Sequence, residues 1–213
     1  MVKNMIKRYT LAEELINSIS HGIGAGLAIA GLVLLIIKAH TAMGIITGII
    51  YTTILIIMYT ISCIYHALSY RIKGKEILRN IDHSNVLLTV AGTYTPIALC
   101  LIKGSLGWII FTIVWCITAI AITFNSINVE KYQKICLLCN LIVGWAGLLI
   151  IKQLIQSCPI EGLILLIGGG IIYTIGAILY VLGKKHRYIH SLFHFLILVA
   201  SILHYLFIYF YVV

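Results

Sequence analysis

Seven long, predominantly apolar runs alternate with short polar gaps along the 213-residue chain. The runs predict helices at about 17–38, 43–69, 80–102, 106–126, 134–151, 160–183 and 188–212. Each is close to or longer than the roughly 20 residues that cross a hydrocarbon core about 30 Å thick. The expected architecture is all-α: a seven-transmembrane helix bundle forming a single membrane domain over 1–213. No soluble domain, linker or internal repeat interrupts it, and the longest polar connection is about 70–80. The first run is too long for a signal-peptide core, so the first helix is expected to be retained and the chain to begin at or near Met1.

Composition agrees with the pattern. With 62% hydrophobic and 10% charged residues and a mean hydropathy of +1.09, the chain has too little polar surface to wrap a core in water. It reads as a multi-pass protein of the inner (plasma) membrane, with membrane lipids as its surroundings; nothing in the sequence sets an oligomeric state. The net charge of +9 is spread over short connections with no basic face, which argues against a nucleic-acid partner. Topology explains it better. Lys3, Lys7, Arg8, Arg71, Lys73, Lys75, Arg79, Lys131, Lys134, Lys184, Lys185 and Arg187 fall in alternate gaps, and only Lys38, Lys103 and Lys152 fall on the other side. The positive-inside rule then places the N-terminus in the cytoplasm and the C-terminus outside.

Several motifs are absorbed by this picture. Cys63, Cys100, Cys116, Cys136, Cys139 and Cys158 lie in or at the ends of apolar runs and read as small buried hydrophobes. Cys136-Leu-Leu-Cys139 has the spelling of a redox pair, but inside a span it reads as packing. Gly22, Gly24 and Gly26 follow no strand, so close helix approach explains them, as it does Gly44 and Gly48. Pro96 should remove a backbone hydrogen bond and kink the third helix, with Tyr94 and Thr95 lining the bend.

The ionisable residues left at membrane depth are few, and such groups face bundle interiors and mark function unless they are structural contacts. Ser62 and His66 stand four apart at one end of the second helix, on one face. Asp82, the sole aspartate, opens the third helix with His83 beside it; His190 and His194, again four apart, open the seventh. Two imidazoles at this spacing plus a third from another helix make three nitrogen ligands with a fourth position open for water, the pattern of catalytic zinc sites. Zn2+ held by His66, His190 and His194 is the expectation, with Asp82 and Ser62 as catalytic neighbours. A cluster of interhelical hydrogen bonds is the alternative. Glu14, Asn17 and His21 share a face at the start of the first helix and, with His83, are candidates for a supporting shell or for anchoring the helix end. His204 lies too far along its helix to share the ion and reads as a satisfied interior histidine; His40 and His186 fall in connections.

The stretches Glu14-Leu-Ile-Asn17-Ser-Ile-Ser20-His21-Gly22, Ser62-Cys-Ile-Tyr-His66, Asp82-His83 with Ala91-Gly92-Thr93-Tyr94-Thr95-Pro96, and His190-Ser-Leu-Phe-His194 together resemble the hemolysin III family. That family is similar to the progestin and adiponectin receptors and the alkaline ceramidases. The resemblance runs from about residue 11 to the C-terminus and implies seven helices and a zinc ion on His66, His190 and His194, with Asp82 and Ser62 beside the open position. Phe193 stands where the family's last motif often has Trp. Zinc chemistry between apolar helices suits hydrolysis of an amide or ester in a lipid-like substrate entering from the membrane. Two other readings stay open. The family name implies cytolysis or pore formation, although neither barrel strands nor a switching amphipathic helix is present; alternatively, zinc staples a protein that senses membrane state.

Overall fold

The computed structural model describes residues 9–72, 74–183 and 186–213, and these are all-helical. Helix α1 (Leu11–Lys38) starts ahead of its apolar run because Thr10 and Glu13 form a capping box: the Thr10 side chain accepts from the Glu13 amide and the Glu13 carboxylate accepts from the Thr10 amide at 2.8 Å. Helix α2 is Ala42–Ala67, capped by Thr41. Helix α3 (Gly74–Pro96) likewise begins before 80, adding polar turns that a hydropathy pattern does not see.

Pro96, which has no N–H to donate, closes α3, and the chain continues as a π-helical segment, Ile97–Ile102. Lys103 and Gly104, both near φ +60°, then reverse it into α4 (Gly104–Ile127). The reversal is tight: a Cβ on Gly107 would sit 2.2 Å from the Ala98 carbonyl oxygen.

The fifth span departs from the single helix expected over 134–151. It comprises α5 (Val129–Gly144), a 3-10 segment (Ala146–Ile150) and α6 (Ile151–Ser157). A break inside lipid frees backbone groups that water cannot satisfy. Here Tyr94 satisfies two of them, its hydroxyl donating to the Gly144 carbonyl (3.1 Å) and accepting from the Gly147 amide (2.7 Å). Helices α7 (Ile160–Leu182) and α8 (Ile189–Tyr211) complete the chain.

Among the described residues seven helical spans are long and apolar enough to cross a membrane, α5 and α6 counting as one. Their outer faces carry exposed aliphatic side chains such as Leu149, Ile37 and Ile127, the surface that a bilayer covers. Neighbours pack in the order α3, α2, α1, α8, α7, with α4 and α5 on the other flank of α3 and α5 meeting α7 to close a ring. Tyr51, Leu55, Tyr59, Ile97 and Phe207 fill part of its core. Of the basic residues used to assign sidedness, Lys3, Lys7, Arg8, Lys73, Lys184 and Lys185 lie outside the described residues.

Candidate metal centre

One end of the bundle gathers the start of α1, the end of α2 and the starts of α3 and α8. From α2 comes His66, which is 2% exposed; from one face of α8 come His190 and His194, their ring centroids 4.6 Å apart. The His66 and His194 centroids are 4.7 Å apart. One ligand atom from each of the three residues lies within 4.8 Å of the others, close enough for a shared metal ion.

Hydrogen bonding decides which nitrogens face inward. His66 Nδ1 is 2.6 Å from Glu14 Oε2; a carboxylate accepts, so Nδ1 carries the proton and Nε2 presents a lone pair. That Nε2 is buried and without a hydrogen-bond partner. His194 Nδ1 lies 2.8 Å from His21 Nε2, and His194 Nε2 lies 3.0 Å from His190 Nε2. Inward-turned imidazole nitrogens around a bare acceptor are a donor set that a borderline divalent cation fits.

The surrounding residues hold the rings in place. Glu14 spans His66 and Lys75, the latter ion pair at 2.7 Å. Lys75 is 0% exposed, donates to the Leu68 carbonyl at 2.8 Å and lies over the Tyr70 ring. By sequence Lys75 belongs to the charges of a connection; the signal for its burial is Glu14, which needs a counter-charge at the same level. Asn17 Nδ2 approaches His66 Nδ1 at 3.5 Å. Glu13 accepts from the Tyr188 amide at 2.8 Å, tying the start of α1 to that of α8, where Tyr188 takes a left-handed φ of 58°. Tyr9, also absent from the sequence-derived set, stacks on His190 with centroids 4.7 Å apart. Burial first, then the Glu14 and Glu13 carboxylates, push its phenol above the ordinary tyrosine range. The Tyr70 phenol is raised too, by burial and by its hydrogen bond to Glu14.

Asp82 faces the Ser62 hydroxyl and the His66 ring. The Ser62 oxygen is buried without a closed hydrogen bond. His83 turns instead toward α7, its Nδ1 2.9 Å from the Tyr180 hydroxyl, which Gln133 of α5 also contacts. His204 is remote from the trio and meets the Leu166 carbonyl; Cys136 contacts the Ala121 carbonyl.

Asp82, His83, His190 and Tyr180 line a cavity of about 560 Å³ that continues past Phe193 to His204. Arg79, ion-paired to Glu130 at 3.2 Å, also lines it.

The chain as a whole resembles known proteins. The model of the family described as "Haemolysin-III related" matches residues 9–205, a stretch that holds every residue of the centre. The chain belongs to the haemolysin-III related family. It is 35% identical over 203 residues to Hemolysin-3 of Bacillus cereus, covering 94% of this chain and 92% of that one. It is 36% identical over 196 residues to a Hemolysin-3 homolog of Bacillus subtilis (strain 168), covering 91% of each. A human relative, the monocyte to macrophage differentiation factor, is 24% identical over 167 residues, covering 75% of this chain and 68% of its own. Family and apolar spans together make this a multi-pass membrane protein.

Proposed function

We infer that this haemolysin-III related protein is a zinc-dependent hydrolase of lipid amide or ester bonds, with its metal centre near the cytoplasmic leaflet. The observation that carries the reading is that the histidine centre opens, through His190 and Asp82, into the same long apolar cavity. Three neutral imidazoles suit zinc among borderline metals. A zinc ion held there would supply Lewis-acid polarisation of a carbonyl and ionisation of water near neutral pH. The chain's own residues do the rest. Glu14 keeps His66 Nδ1 protonated and its Nε2 turned inward. Asp82, facing the centre, carries a proton from nucleophile to leaving group. Ser62, whose hydroxyl stands beside Asp82, orients that carboxylate. The apolar cavity receives the substrate's chain, and Arg79 stands where a polar head enters. The alternation of basic residues supports a cytoplasmic N-terminus.

The test is release of fatty acid from a panel of ceramides and glycerolipids by metal-loaded protein. Asp82→Asn should retain its metal and lose activity by about 10²-fold or more. Release that persists undiminished after chelation, or no release from any lipid, contradicts the reading. The name of the two Bacillus relatives favours a second one, lysis of membranes. Dye leakage from liposomes unaffected by loss of His66, His190 and His194 would select it. A chelator that lowers thermal stability while no lipid is turned over would select a third, zinc as a staple in a membrane-state sensor.

A further inference from the structure

His204 lies ten positions beyond His194 on α8, on the order of 15 Å along the helix axis, and lines the far part of the same cavity. Its Nε2 is 3.1 Å from the Leu166 carbonyl oxygen. A carbonyl can only accept, so Nε2 donates, and in a neutral ring Nδ1 is then a bare acceptor. That atom has no hydrogen-bond partner although the residue is only 8% exposed. Tyr173, whose ring is 5.3 Å away, pairs its hydroxyl with Ser201 at 2.6 Å and makes no hydrogen bond to this nitrogen. The ring has room only because position 169 is glycine; a Cβ there would come within 2.3 Å of His204 Cδ2. Buried acceptors left unmade at membrane depth are costly, so a donor arriving with a ligand would be selected for.

We propose that His204 is a hydroxyl-reading subsite: the cavity takes an amphiphile whose polar head sits at the histidine centre, level with His194, and whose chain carries a hydroxyl at the depth of His204. The proposal rests on the reading of the cavity as a site for a lipid chain and not on hydrolysis. A trapped water serving Nδ1 is the competing occupant, and it predicts no discrimination between hydroxylated and plain chains.

Ricinoleic and oleic acid separate the two, because the first adds one hydroxyl about two-thirds of the way along the same unsaturated chain. Each displaces a fluorescent fatty acid from chelator-treated protein in nanodiscs, so metal chemistry plays no part in the readout. Ricinoleic acid should bind about tenfold more tightly to the unaltered protein. His204→Phe should bring it down to the level of oleic acid, and His204→Gln, which keeps a donor for Leu166 and an acceptor for the ligand, should restore part of the preference. Gly169→Ala, which pushes the ring aside, should reduce it. Equal affinities in the unaltered protein, or a preference that survives His204→Phe, overturns the subsite while leaving the lipid cavity standing. Failure of both acids to displace the probe overturns the subsite and the lipid reading together.

Discussion

Glu14 serves three partners at once: the His66 ring, the Lys75 ammonium and the Tyr70 phenol. Charges taken out of water survive only when paired and hydrogen-bonded, and removing one member strands the other. Lys75→Met should therefore cost about 3–5 kcal/mol, read as a lowered unfolding temperature in detergent; an unchanged temperature would show that the ion pair is not what steadies this end of the bundle. Glu14→Gln should weaken metal affinity by about 10- to 100-fold, measured against a chelating dye, because His66 loses the carboxylate that fixes its tautomer. The histidines were readable in sequence because each stands at the end of an apolar run, and the α8 pair shares a helical face. Lys75 and Tyr9 were not, since a lysine in a polar connection and an aromatic ahead of a helix look solvated until distant elements are brought against them.

Helix number followed from run length, but the details within and around each run did not. The start of α1 was missed although Thr10-Leu-Ala-Glu13 spells a capping box, because polar turns before a span carry no hydropathy signal. The break after α5 was missed for the opposite reason: Trp145, Ala146 and Gly147 are compatible with an unbroken apolar helix, and only the Tyr94 hydroxyl from α3 makes the break affordable. Tyr94→Phe should leave the Gly144 carbonyl and Gly147 amide unpaired in lipid, at about 1–3 kcal/mol for each group. The check is thermal unfolding in detergent, and a Phe variant as stable as the parent would mean that the break satisfies itself. Gly107→Ala forces a methyl against the Ala98 carbonyl and should cost about 1–3 kcal/mol, whereas the same change at Gly26, which has open space around it, should be close to neutral.

At the scale of the whole molecule, the described residues of the ring of spans line a long cavity with ionisable groups concentrated toward one end. No single run of sequence announces that cavity, because its walls come from α3, α5, α7 and α8 together. Sidedness is tested by fusing a reporter that is active only outside the cytoplasm to the C-terminus; activity there is expected, and activity at an N-terminal fusion instead would reverse the topology. The metal centre requires His66, His190 and His194 to share one ion. Elemental analysis of purified protein beside its His194→Ala variant measures this directly. About one zinc per chain in the parent and loss of most of it in the variant is the predicted result; full metal occupancy in the variant, or a parent without metal, would contradict it.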